Sequence, residues 1–205
     1  MARSHFQNLL LVLLLIMVPT ATLALDLGGH DRDGVVIGLD LGHGWNSVQF
    51  TDTDGVALDT GDISTFTGAF RVGWARNDNL VGFVGISGWK RSNYQSFAPA
   101  STTNLNFLAE VYYYPRGEGF WVKGGIGSGS IDFYVNTAAT ENRINFKEGG
   151  FTYSLGAGYE FRASDALAFG ISYSYTDIDM GSFGDITAAG ADSHFLAMSF
   201  NFYQP

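Results

Sequence analysis

Between Val35 and Tyr203 the chain alternates apolar with small or polar residues in eight successive stretches. The clearest are residues 105–113 (LNFLAEVYY), 151–159 (FTYSLGAGY) and 196–202 (LAMSFNF). A period of two gives each stretch one apolar and one polar face, which is the signature of a β-strand. No helical segment separates the stretches. Eight strands joined in series by turns can remove their free edges by closing into a barrel. The fold class read from the chain is therefore all-β, an eight-stranded antiparallel up-and-down barrel.

The strands are expected at residues 35–50, 64–76, 80–91, 102–114, 119–134, 150–162, 167–177 and 194–203. In the first, Val35, Ile37, Leu39 and Leu41 share one face, and Gly38, Asp40, Gly42 and Gly44 the other. The third is ambiguous, because either Val81, Phe83 and Trp89 or Leu80, Val84 and Ile86 could form its apolar row. Residues 77–79, 115–118 and 162–166 read as short turns, and the remaining connections as polar loops of roughly 10 to 16 residues, in the lengths usual for outer-membrane barrels. If Tyr114 faces Gly119 across the hairpin, Val111 faces Val122, Phe107 faces Ile126, and Glu110 lies opposite Lys123.

Which face looks inward decides between a soluble carrier and a membrane span. The polar row is rich in glycine and sparsely charged: Asp40, Arg71, Glu110, Lys123 and Glu160. A water-facing exterior would carry more charge. The chain has 27 glycines in 205 residues, nearly twice the usual share of about 7%, and Gly125, Gly127, Gly129, Gly156, Gly158 and Gly170 fall on that polar row. The apolar row is bulky and aromatic (Phe107, Tyr113, Phe120, Tyr153, Tyr159, Phe161, Phe169, Tyr173, Phe200, Phe202). An eight-stranded lumen is only wide enough for side chains to fill, so this row is expected to meet lipid, making the barrel transmembrane. The charged residues are then expected to pair within the lumen.

The N-terminus agrees with export. Arg3 precedes the apolar run at residues 9–18, and a small-residue stretch follows at 20–24, as in a secretory signal peptide. The run is shorter than the ~20 residues a membrane-spanning helix needs. The expected organisation is a signal peptide at 1–24, a periplasmic segment at 25–34 and the barrel at 35–205. Cysteine is absent, which excludes disulfides and a lipoprotein anchor. The net charge of −9 argues against nucleic acid as a partner.

The sequence resembles the small outer-membrane β-barrel superfamily of OmpA/OmpX-like and opacity-protein-like surface proteins. The resemblance rests on residues 38–45 (GLDLGHGW), 112–115 (YYYP) and 156–161 (GAGYEF), and it extends over nearly all of the chain after residue 24. It implies a protein of the outer membrane in a diderm bacterium. Its expected partners are outer-membrane lipids, lipopolysaccharide, the barrel assembly machinery and an extracellular ligand met through the loops. Members often end in phenylalanine, whereas this chain continues to Gln204 and Pro205.

No cofactor or metal is expected, and no catalytic residue is assigned. His5, His30, His43 and His194 are scattered. The glycine run at 124–129 precedes no helix N-terminus that could hold phosphate. Asp192, Ser193 and His194 are the sole cluster suited to a lipid A acyl hydrolase, but neighbours in a strand point to opposite faces. The acidic stretch at 51–62 (Asp52, Asp54, Asp59, Asp62) and Asp177, Asp179, Asp185 and Asp192 read as solvated charge more readily than as cation sites. The expected function is a non-enzymatic, structural or surface-exposed barrel with its lumen closed by charge pairs. A small channel or carrier for hydrophobic solutes is the alternative, since large aqueous pores need about 16 strands.

Overall fold

A computed structural model describes residues 32–52, 54–55, 57–59, 63–95, 98–117, 119–136, 143–183 and 186–204. The expected signal peptide lies outside these residues, as do His5, His30, Asp62 and Asp185. The described chain is almost entirely strand: β1 Gly34–Asp52, β2 Ala57–Asp59, β3 Ile63–Asn77, β4 Leu80–Gln95, β5 Ala98–Tyr113, β6 Phe120–Asn136, β7 Arg143–Arg162, β8 Leu167–Phe183 and β9 Ile186–Gln204. Each long strand pairs antiparallel with its sequence neighbour, and β1 closes the cylinder against β9 from Val35↔Gln204 upward. Short β2 pairs with β1 at Gln49–Thr51, past the end of the β1–β3 ladder. The result is a closed eight-stranded barrel.

The period of two sorts the side chains as the alternation requires. Along β3, Arg71 is 2% exposed while the adjacent Phe70 and Val72 are 46% and 39% exposed. Along β7, Thr152, Ser154 and Glu160 are buried, and Phe151, Leu155 and Phe161 are exposed. Outward apolar residues on every long strand form one continuous band, as a hydrocarbon environment demands. Strand β4 settles as apolar on both faces: Leu80, Val84 and Ile86 point outward, and Val81, Phe83 and Trp89 are buried inside.

Three expectations need correction. The lumen is not reserved for glycine and a few charges, because Phe83, Trp89, Tyr112, Tyr114, Trp121, Phe195 and Tyr203 are buried in it as well. The inward glycines make this feasible. A Cβ at Gly158 would run into the Trp121 ring, and one at Gly125 would come within 2.7 Å of Glu110 Cγ.

Most of the polar stretches expected as long loops are strand instead. Only residues 96–97 separate β4 from β5, and 184–185 separate β8 from β9. Polar strand residues can continue a ladder into water beyond the lipid, where alternation of hydropathy no longer reports the pairing.

The β5–β6 register is displaced by two residues. Tyr113 faces Val122, Val111 faces Gly124, Phe107 faces Ser128 and Glu110 faces Gly125. Tyr114 leaves the β5–β6 ladder and donates its N–H to Asn79 O, while Gly117 N–H closes a turn onto Tyr114 O. Gly117 (φ 74°) and Gly119 (φ 71°) supply the left-handed backbone that this turn requires. A slip of two keeps every side chain on its own face.

Candidate functional site

The lumen gathers the buried polar chemistry of the chain, arranged in layers. At the end where β1 begins and β9 finishes, Glu160 of β7 is the centre. Its carboxylate accepts hydrogen bonds from Arg32 Nη2 (2.9 Å), Asn201 Nδ2 (2.6 Å), Tyr114 OH (3.3 Å) and Tyr203 OH (3.0 Å). Arg32 precedes β1 and turns its side chain into the barrel mouth. Its Nη1 donates to the backbone oxygens of Asp78 and Gly117, and its backbone N–H donates to Asp78 Oδ1. One side chain thus binds the β3–β4 turn, the β5–β6 turn and β7 together.

Two cation–ring stacks complete this layer. The Arg32 guanidinium lies 3.7 Å over the Tyr114 ring, and that of Arg162 lies 3.8 Å over Tyr203. Burial opposes the Arg32 cation, but the Glu160 charge, the Tyr114 and Tyr203 phenols and the hydrogen bond to Glu160 together hold its pKa above the ordinary value. Burial, reinforced by Glu160, pushes the Tyr114 phenol well above its usual range. Both groups keep their neutral-pH protonation states, so this end remains a cation–carboxylate–phenol cluster.

The next layer holds two ion pairs. Arg71 of β3 forks onto Asp40 of β1, with Nη1 on Oδ2 and Nη2 on Oδ1 at 2.9 Å. Its Nη2 also reaches Asn201 Oδ1 at 3.2 Å, linking this pair to the Glu160 cluster through one amide. Lys123 Nζ of β6 meets Glu110 Oε1 of β5 at 2.8 Å, and Ser154 Oγ donates to the same oxygen. Glu110 and Lys123 meet on the diagonal, because Lys123 stands opposite Tyr112. Gly125, opposite Glu110, leaves the space for that reach.

Farther along the axis comes a neutral polar belt, including the Asn104–Asn106 amide pair and Asn46 on Thr65. An apolar plug of Val48, Trp89, Ile131, Ile178, Met180, Ala189 and Ala191 lies beyond it. Trp89 of β4 reaches across to β9, donating its Nε1–H to Ser193 Oγ at 3.1 Å.

The structure thus places Asp40, Arg71, Glu110, Lys123 and Glu160 inside the barrel, the first four as two pairs. Glu160 is held by residues outside that set. Tyr114 and Tyr203 sit on a parity that the strand pattern defines. Arg32 sits before the pattern starts, and its charge within a polar segment was the sole signal for it.

The Asp192-Ser193-His194 cluster is split. Ser193 takes part in the lumenal contact with Trp89, whereas His194 stacks outside, with Nδ1 2.7 Å from Tyr173 OH and Nε2 3.6 Å from Asp192. A separate outward pair, Ser64 Oγ with His43 Nε2, escaped the sequence reading. No carboxylate orients His43 among the described residues, so the base lacks the third group of a nucleophile triad. Among the described residues no group of three acidic or histidine side chains is arranged to hold a metal ion.

Comparison with known proteins agrees with this architecture. A family model described as the outer membrane protein beta-barrel domain matches residues 9–202. No curated protein matches the chain. Among solved structures, the attachment invasion locus protein Ail of Yersinia pestis superposes with a TM-score of 0.59 at 12% identity, over 83% of this chain and 99% of that one. Neisserial surface protein A gives 0.54 at 12% identity, over 83% and 97%. OprG of Pseudomonas aeruginosa gives 0.50 at 16% identity, over 86% and 99%. At these identities the likeness extends to the fold. With the family model covering nearly the whole chain, the protein belongs to the outer-membrane β-barrel domain family and resides in the outer membrane of a Gram-negative bacterium.

Proposed function

We propose that this protein is a sealed, non-enzymatic barrel whose role is carried by what it exposes on the cell surface. The observation that supports this reading is the stacking of unlike layers along one lumen. A cation–carboxylate cluster, two ion pairs, an amide–hydroxyl belt and an apolar plug would all have to move before a solute could pass. Removing one partner of such a buried pair costs ~3–5 kcal/mol, so transient opening through the ion-pair layer is rare. The surface role falls to the strand ends on the side of the apolar plug, where β1, β4, β6 and β8 finish and β3, β5, β7 and β9 begin.

A structure of the related Ail holds the heparin analogue sucrose octasulfate, which makes an extracellular ligand a reasonable expectation for this barrel too. The net charge of −9 favours a neutral or cationic ligand over a polyanion. Export would proceed through the segment at residues 1–24, and insertion through the barrel assembly machinery.

Planar-bilayer recording of the purified barrel tests the sealed lumen. Silence is expected, whereas stable unitary currents or flux of an apolar solute into vesicles would return the channel or carrier reading. Unchanged lipid A acylation on overexpression is expected of a non-enzyme. Deacylation lost in Ser64→Ala or His194→Ala would reverse that assignment.

A further inference from the structure

The outer rim of the barrel is divided by charge. Residues 33–70 and 163–205 contain no lysine or arginine, so β1, β8 and β9 carry none. Past the apolar band, β8 and β9 present Asp177, Asp179 and Asp192, and Asp177 stands directly opposite Asp192. Like charges placed so destabilise a ladder. Asp192 has His194 at 3.6 Å. Asp177 accepts the Tyr175 hydroxyl and Asp179 the Gly181 N–H, and neither enters an ion pair among the described residues. A counter-charge for these two carboxylates has to come from outside the β8–β9 wall.

Unpaired cations stand across the barrel. Lys90 and Arg91 of β4 are exposed, enter no ion pair among the described residues, and lie just past Trp89, where the β3–β4 ladder ends. Lys90 shares the outward parity of Val84 and Ile86. Strands β4 and β8 are four strands apart in either direction round the eight-stranded ring, so the two patches are diametrically opposed. They also match in height. Lys90 is ten positions along β4 from Leu80, and Asp177 ten positions along β8 from Leu167. With a rise of ~3.3 Å per residue and a strand tilt of ~40°, both stand about 25 Å above the short turns, at the outer boundary of the apolar band.

We propose that these patches are the two halves of one interface, through which a second copy of this chain docks side by side in the membrane. Barrels inserted in one direction hold Lys90 and Arg91 of one copy level with Asp177 and Asp179 of the next. Because the halves lie on opposite sides, the contact is head-to-tail and does not close, so it builds rows. Charge pairs at the water boundary are individually weak and screened by salt, so the rows depend on confinement of the barrels to the membrane plane. The interface uses the outer rim alone and stands independently of the sealed-lumen reading.

The test is energy transfer between donor- and acceptor-labelled copies in phosphatidylcholine vesicles, without lipopolysaccharide or divalent cations. The chain has no cysteine, so Arg116→Cys at the exposed β5–β6 turn gives a single labelling site. The otherwise unaltered barrel should associate, and about tenfold less in about 0.5 M salt than in about 0.05 M. Lys90→Glu with Arg91→Glu, and separately Asp177→Lys with Asp179→Lys, should each weaken association by about tenfold. An equimolar mixture of the two charge-reversed proteins should restore it, because each then offers the charge that the other needs, and restoration also shows that both fold. Undiminished association in either charge-reversed protein, or association that appears only on adding Mg²⁺, overturns the proposal. So does a mixture that stays dissociated while both proteins keep the circular dichroism of the unaltered barrel.

Discussion

Arg32 and Glu160 are separated by 128 positions in the sequence and meet at 2.9 Å, both almost without solvent contact. Four donors converge on that one carboxylate, so removing it strands a buried arginine, an amide and two phenols. Glu160→Ala should lower unfolding stability by ~3–5 kcal/mol, read from denaturant unfolding in micelles. Arg32→Ala should cost less, because Asn201, Tyr114 and Tyr203 still satisfy the carboxylate. A Glu160→Ala loss below that of Arg32→Ala would contradict the convergence.

The Asp40–Arg71 pair is a closed exchange of charge inside the barrel. Asp40→Ala and Arg71→Ala should each destabilise by ~3–5 kcal/mol, while the double variant loses far less than their sum. Equilibrium unfolding of all four proteins measures the coupling. Additive losses would mean that the two groups are solvated independently.

Trp89 closes the plug by reaching from β4 to Ser193 on β9. Trp89→Ala should cost ~3–5 kcal/mol through the cavity it leaves. It should nevertheless stay electrically silent in planar bilayers, because the two ion pairs still fill the barrel below it. Arg71→Ala combined with Lys123→Ala should instead pass small ions. Currents from Trp89→Ala alone would move the seal to the plug.

Glycines on the two faces should respond oppositely to the same substitution. A Cβ at Gly158 meets the buried Trp121 ring, whereas one at outward Gly82 meets no atom within 4 Å. Gly158→Ala should destabilise by ~1–3 kcal/mol. Gly82→Ala should be neutral or stabilise by up to ~1 kcal/mol, by restricting the unfolded chain. Thermal or denaturant midpoints of the two variants separate the cases.

The alternation made the barrel, its strand order and the outward band legible, because burial on one face of a ladder leaves a period of two in the sequence. The position of each strand against its neighbour was less so. Pairing Val111 with Val122 brings apolar residues together, yet a two-residue slip preserves every face, and the Gly117 N–H to Tyr114 O bond that closes the β5–β6 hairpin lies in the turn, outside the alternating pattern. Strand β4 was opaque for a related reason. Val81, Phe83 and Trp89 fill the lumen while Leu80, Val84 and Ile86 face lipid, so neither face carries a polar label. Glu110 and Lys123 could be matched as inward neighbours of opposite charge. The partners of Glu160 could not, since Arg32 enters from outside the repeating pattern and Asn201 and Tyr203 come from the far end of the chain.

The seam between β1 and β9 places Val35 beside Gln204. During assembly the first strand must therefore wait for the last before the cylinder can shut. Until then the growing sheet has two sticky borders and its greasy side in water, so a long-range zipping step governs when the chain becomes safe from misassembly. A permuted gene that joins residue 204 to residue 35 through a short linker, with new ends in the two-residue connection after Gln95, would make that zipping local and change its timing without altering any wall contact.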